Sequence, residues 1–482
     1  MTRLFNQELA RPGSPLRGID LGSGRFPELT GLGYRYLSRP MFFGEGEMRR
    51  FEADLLGVVD LLTSLPERLF DGDAERVCRA LGVDPAKAAL VGGFGKERPA
   101  RFGRVDAYHD GESLKILEFN ASSQTGGQEW VGPAAAALLD FEGFRSFAGR
   151  HGLHHLDTTA LLARALRAAG ATVSAPEPVV ALIEGPGGMA AYGHAWRPLQ
   201  RLLRAEGLDC HLGEIGDLRV RGGKVLLGEV TVDVVYRLFD LDQVVGHPQG
   251  RELAEQLRDA HQDGRVALWS PLETDLNANK RWMAYLSDPR LRSHLSTEER
   301  RLVDRVLPWT RALTPGDTAH GRELLELCRE RREHLILKLD ESFASQGITC
   351  GWLVDDRRWE QALRQAAAVG AVVQERVVPR QEPVFDPVTG RTEPWDSCLG
   401  LYWMPSGFAG GGARLVPSGR PFTLEAEHKR LAGIYLYPDA VQPDAVQPDA
   451  VNAHPVHTGT VTPGTVHTRT VTPGTDDRTE ES

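Results

Sequence analysis

A chain of 482 residues is too long for one ordinary core and calls for two to four domains or lobes. Hydrophobic residues at 41% and charged residues at 25% are normal for a soluble globular protein, so a packed fold is expected. With 66 acidic and 56 basic residues the formal net charge is -10, which argues against coating nucleic acid or an anionic membrane.

No apolar run approaches the roughly 20 residues that span a bilayer. The opening stretch, MTRLFNQELARPGSP, has no apolar segment of the kind a secretory signal needs. Five scattered cysteines without a CxxC pair fit buried thiols in a reducing cytoplasm better than a disulfide framework or a closed zinc site. A cytoplasmic enzyme is the expectation.

In chain order, residues 1–150 form a first region. Its first 30 residues are rich in Gly and Pro and read as irregular. Helical patterning follows at Met48–Leu62 and Ala74–Leu81. RFGRVDAYHDGESLKILEFN then reads as a hairpin: an exposed strand, a turn at Asp110-Gly111, and a buried strand Leu114–Phe119. Residues 151–269 form a second region. It holds an apolar run Val179–Ile183, the turn Glu184-Gly185-Pro186-Gly187-Gly188, a helix Trp196–Glu206, a hairpin around Arg221–Lys224 and a strand Val232–Phe239. That spacing suits a small α/β unit with a parallel pair.

Residues 270–436 form a third region. Ser296–Glu299 fits a helix-capping box, and a helix Arg322–Glu333 leads into a strand Leu335–Leu339. A helix Asp356–Ala368, strands Ala371–Val378 and Cys398–Met404, and a Gly-rich loop Gly407–Arg414 follow. Residues 437–482 repeat PDAVQ and TVTPGT, with no aromatic residue after Tyr437. Such a composition cannot offset the entropy of ordering, so a disordered tail is expected. The α+β alternation excludes a repeat protein.

Several residues carry chemistry. Glu118 and Asn120 share a strand face because the side-chain period is two, and a carboxylate beside an amide oxygen suits Mg²⁺. An ordinary edge-strand pair is the alternative. Lys338, at the end of an apolar strand, calls for an anion or snorkels at a sheet rim. Lys280 falls about one turn inside a helix, where an isolated Lys is usually solvated. Gln374 and Glu375 sit mid-strand, either hydrogen-bonding a base and ribose or facing water at an edge. Arg237 lies in an apolar strand with Asp233, so it recognises an anion or forms an internal ion pair. Arg414 closes the glycine run, which either permits a tight turn or brings backbone close to an anion.

The order of EFN, VDVVYRLF, SPLETDLNANK, LILKLDESFASQGI and VVQERV resembles the circularly permuted ATP-grasp enzymes, of the glutathionylspermidine synthetase-like and eukaryotic-type glutathione synthetase group. The similarity spans roughly residues 100–415, and Glu118 and Asn120 precede both lysines, which is the permuted order. The resemblance implies an α+β ATP-grasp fold with a Rossmann-like pre-ATP-grasp element in 151–269 and nucleotide-binding lobes in 270–436. It implies that Lys280 and Lys338 contact ATP phosphates and that Ser342, Ser345, Gln346 and Gly347 form a lid. Gln374, Glu375 and Val377 would line the adenine and ribose pocket. Glu118, Asn120 and Glu341 would hold Mg²⁺. Family members carry Lys-Pro and a glycine run at the lid, whereas Lys338 precedes Leu339 and the lid holds Gly347 alone.

The implied reaction is ATP-dependent joining of a small-molecule or peptide carboxylate to an amine through an acyl phosphate. Arg237 and Arg414 are the candidates for stabilising the acyl oxyanion, with Arg39 behind them. Neither nucleic acid nor membrane is an expected partner. A kinase on the same fold, and a nucleotide-binding scaffold without turnover, are the competing readings.

Overall fold

Strands from both ends of the chain build one sheet. In the computed structural model, residues 1–93, 101–313, 319–340, 347–420, 422 and 427–439 are described. The sheet runs Met41–Gly44, Arg430–Tyr437, Gly407–Pro417, Arg391–Met404, Gly103–His109, Leu114–Asn120, with Glu382–Asp386 also paired to Arg391–Met404. The first pair is parallel and the others are antiparallel. Alternation along its strands serves two cores. Val105, Leu401, Ala413 and Ile434 face one, with the helix Glu45–Phe70. Tyr402, Leu431 and Tyr435 face the other, with the helices Thr2–Ala10 and Gln128–Leu138. Burial on both faces leaves the strands Gly407–Pro417 and Arg430–Tyr437 largely apolar, whereas Gly103–His109 and Leu114–Asn120 carry charged residues as well.

The glycine run is therefore not a loop. Gly407–Pro417 is an almost wholly buried strand. A Cβ on Gly412 would strike the Trp130 ring, and one on Gly411 would come within 2.5 Å of the Gly400 carbonyl oxygen. The glycines let a helix and a neighbouring strand approach.

A second sheet has four parallel strands in the order Ala267–Trp269, Val234–Arg237, Val179–Glu184, Asp209–Glu214. The helix Gly188–Ala205 connects the last two in chain order, a longer helix than the expected 196–206. Glu214 accepts hydrogen bonds from the Gly187 and Met189 amides at its N-terminus (2.8 and 2.9 Å), so a carboxylate already satisfies those donors. The expected strand Val232–Phe239 is broken at Asp233, whose carboxylate accepts from the Val179 amide at 2.9 Å.

A third sheet, Thr310–Leu313, Ala371–Glu375, Leu335–Leu339, Ile348–Cys350, is antiparallel. Leu335, Leu337, Ala371 and Val373 point to a small core with Trp359, Leu363 and Ala366 of the helix Asp356–Val369. Thr310, Ile336, Lys338, Val372 and Gln374 fall on the opposite face. The expected strand Ala371–Val378 ends at Glu375. A three-stranded sheet, Leu218–Arg221, Lys224–Leu227 and Val230–Val232, completes the described strands.

The expected irregular start instead contains the helix Thr2–Ala10, with Phe5 and Leu9 buried. The strand Gly103–His109 lies inside the large sheet and is mostly buried, not exposed. The described residues, Met1 to Asp439, belong to one compact unit. The expected disordered tail, beyond Asp439, lies outside the described residues. No helix among the described residues is long and apolar enough to cross a membrane.

Candidate active site

The site starts from a β-bulge. His109, Tyr108 and Ala107 pair with Leu114, Lys115 and Ile116; the register then skips Leu117, so that Asp106 pairs with Glu118 and Arg104 with Asn120. Directly opposed residues share a sheet face. Without the extra residue, Glu118 would stand opposite Val105, on the other face. The bulge re-aims the strand and leaves the Leu117 carbonyl outside the ladder.

Two more strands extend this polar row. Gly400 pairs with Asp106, Tyr402 with Arg104, and Cys398 with Arg414. The Asp106 carboxylate, 6% exposed, receives Arg104 Nε at 2.7 Å on one oxygen and Arg414 Nη2 on the other. Burial pushes this carboxyl up, but the two guanidinium groups outweigh it and hold it well below the usual carboxylate range. Asp106 in turn is the main reason Arg414 stays firmly protonated. Arg414 also donates to Cys398 Sγ at 3.6 Å, and burial pushes that thiol up to about 11.

Facing this row is the polar face of the third sheet. Lys338, 5% exposed, donates from Nζ to the Leu117 carbonyl at 2.9 Å and to Gln374 Oε1 at 2.8 Å. Burial lowers its pKa, Glu118 opposes the shift and Lys280 adds to it, so both charges lie within electrostatic reach. Lys280 is 7% exposed and caps the start of the helix Arg281–Ser287; it is not one turn inside a helix. Its backbone N–H donates to the Asp340 carbonyl at 3.2 Å, and Arg281 Nε meets Asp340 Oδ2 at 2.6 Å. These contacts tie Lys280 to the end of the Lys338 strand.

Glu118, Asn120, Lys280, Lys338, Gln374 and Arg414 are thus brought together around the two facing sheets. Arg237 is not. It is fully buried, with its guanidinium donating to the Ser270, Phe239 and Pro271 carbonyls and to Thr274 Oγ1, and pairing with Asp275 at 2.6 Å. Its donors are spent on the segment that leads to Lys280, and its ionic partner is Asp275 rather than Asp233. Arg39 is likewise buried elsewhere, against Glu382. Glu375 pairs with Arg331 at 3.1 Å. Val377 is half-buried in the irregular stretch after the strand. Gly347 has φ +65, and its carbonyl accepts from the Leu339 amide at 3.2 Å. Glu341, Ser342, Ser345 and Gln346 lie outside the described residues.

Among the described residues, no group of three or more His, Cys, Asp or Glu is placed to hold a metal ion. The face offers hard oxygens instead, from Glu118 and the Asn120 amide, whereas both Asp106 oxygens are taken by Arg104 and Arg414. This donor set fits a Mg²⁺ held by one or two protein oxygens together with ligand phosphates. Arg104 and Asp106 escaped the sequence reading. The available signal was an Arg-x-Asp with the same two-residue period as Glu-x-Asn, on the partner strand of a recognised hairpin.

No family model matches the chain, and no curated protein matches it in sequence. Among solved structures it is similar to a glutathione synthetase-like effector from Globodera pallida, with 15% identity and a TM-score of 0.55 over 84% of this chain and 90% of that one. A putative gamma-glutamylcysteine synthetase from Methylobacillus flagellatus is 17% identical over 75% of this chain and 83% of that one, with a TM-score of 0.42. D-alanyl-alanine synthetase A from Vibrio cholerae is 11% identical over 53% of this chain and 74% of that one, with a TM-score of 0.30. The first similarity shows the fold, a mixed α/β architecture of the ATP-grasp type.

Proposed function

We propose that the chain is an ATP-dependent carboxylate–amine ligase that forms an amide bond through an acyl phosphate. The observation that carries this reading is Lys338, held on the Leu117 carbonyl beside Glu118, with Lys280 tied to the end of its strand and Asp106, Asn120, Arg104 and Arg414 on the facing row. A scaffold has no use for four cationic groups and two carboxylates packed this closely. The circularly permuted order, the Rossmann-like character of the parallel sheet and the division at 150, 269 and 436 belong to the same proposal.

The chemistry follows from charge. A carboxylate is a poor acyl donor and repels ATP. Lys280 and Lys338 would neutralise phosphate oxygens and hold them in line with the incoming carboxylate. Glu118 and Asn120 would hold Mg²⁺, which supplies further neutralisation of the phosphates when bound. Glu341 is a further candidate ligand. Transfer of the γ-phosphoryl group to the carboxylate would break its bond to ADP and form the acyl phosphate; an amine then attacks the acyl carbon, loses a proton and displaces inorganic phosphate. Arg414 and Arg104, fixed by Asp106 between them, would face the oxyanion of that step. Arg237 acts at a distance, as a positioning residue for residues 270–275.

Incubation with ATP, Mg²⁺, hydroxylamine and a panel of small carboxylates and peptides tests this. Hydroxylamine stands in for the amine and converts an acyl phosphate into a hydroxamate. Carboxylate-dependent ADP release with hydroxamate is the expected result. ADP release with a phosphorylated hydroxyl product and no hydroxamate would assign the kinase chemistry instead.

A further inference from the structure

The residue expected to read adenine is committed to another task. Gln374 is 1% exposed. Its backbone pairs on both sides, with Thr310 and with Ile336. Its side chain joins a chain of hydrogen bonds whose direction can be assigned. Thr310 Oγ1 donates to the Pro308 carbonyl at 2.9 Å, so it presents a lone pair to Gln374 Nε2 at 3.2 Å. With the nitrogen committed there, and at 3.4 Å from the Leu117 carbonyl, the amide oxygen faces Lys338 Nζ at 2.8 Å. An ammonium has three donors. Two go to Gln374 and to the carbonyl freed by the bulge, and among the described residues no third acceptor meets it, which leaves that donor for a ligand.

Resting on the ligase reading above, we propose that Gln374 is a positioning residue, which aims the Lys338 ammonium at nucleotide phosphate and does not recognise the base. Thr310 sets the orientation of its amide. The three side chains sit on adjacent strands of one sheet face, so a change at Thr310 reaches Lys338 through a single intermediate.

The test compares ATP with adenosine. Affinities of the wild type, Gln374→Met and Thr310→Val are measured by competition against a fluorescent ATP analogue, in Mg²⁺. Methionine keeps the volume and removes the acceptor; valine keeps the shape and removes the hydroxyl. A hydrogen bond to a charged group is worth about tenfold or more in binding. Gln374→Met should therefore weaken ATP about tenfold, with Thr310→Val shifting it the same way by less, while adenosine binds both variants as it binds the wild type. Equal losses for ATP and adenosine would overturn the proposal in favour of base recognition. Unchanged ATP affinity in folded variants would overturn it outright, and Thr310→Val alone decides if Gln374→Met does not fold. Failure of the wild type to bind ATP would instead remove the ligase reading on which the proposal rests.

Discussion

Asp106→Asn probes the site and the fold together. The carboxylate sits between two guanidinium groups whose side chains are 17% and 29% exposed, while its own is 8% exposed. Asparagine preserves the shape and leaves two cations facing a neutral amide. Breaking a buried ion pair costs about 3–5 kcal/mol; because both arginines keep some water, the lower end, about 3 kcal/mol, is expected. The pH dependence has a definite sign. The folded-state pKa of Asp106 is depressed, so its stabilisation is complete above the unfolded value of about 3.9 and is lost as pH falls toward the folded one. At pH 3 the unfolded carboxyl is largely protonated, which removes about 1 kcal/mol of the difference between wild type and variant. Urea unfolding followed by tryptophan fluorescence at pH 7 and pH 3 measures both quantities. A difference below about 0.5 kcal/mol at pH 7, or one that does not narrow at pH 3, would refute the reasoning.

Lys338→Ala should abolish the rise in melting temperature that ATP and Mg²⁺ give the wild type, since only a ligand bound to the native state raises its stability; a retained rise would separate Lys338 from the nucleotide. Arg237→Met should cost about 3–5 kcal/mol by leaving Asp275 without its partner, with Arg237→Lys recovering only part, because lysine has three donors against a fork of five. An urea midpoint equal to wild type would place Arg237 outside the structural core. Gly412→Ala should destabilise by about 1–3 kcal/mol, as the new methyl meets the Trp130 ring; a matching loss of near-ultraviolet circular dichroism would localise the strain.

The sequence made the ingredients of the candidate site legible and left their register hidden. Glu118 and Asn120 announce themselves by period two, and Lys338 by its cost at the end of an apolar strand. A bulge has no dependable single-sequence signature, so nothing before the structure shows that Asp106 stands opposite Glu118. Arg237 misled for a physical reason. An arginine in a buried strand demands acceptors, and five donors can be met by carbonyls and a carboxylate of the chain itself as well as by a substrate. The glycine run misled similarly. Glycine marks close approach as readily as a turn, and the crowding partner, Trp130, lies far away in sequence. Lys280 reads as helical because the 3₁₀ turn at Leu272–Ala278 resembles the start of a helix, whereas the helix itself begins at Arg281.

The distribution of the large sheet along the chain has a consequence for biosynthesis. Asp106 and its partner Arg414 are 308 residues apart. At ribosomal rates of about 5–20 residues per second, the strands Gly103–His109 and Leu114–Asn120 wait about 15–60 s for the neighbours that complete their sheet. Until then Gly103–His109 offers an unpaired edge, and Asp106 lacks one of its two counterions. Slow emergence of the last strands would expose that edge to other nascent chains. The soluble yield on expression should therefore depend on how quickly, and under what chaperone cover, residues 391–437 are delivered.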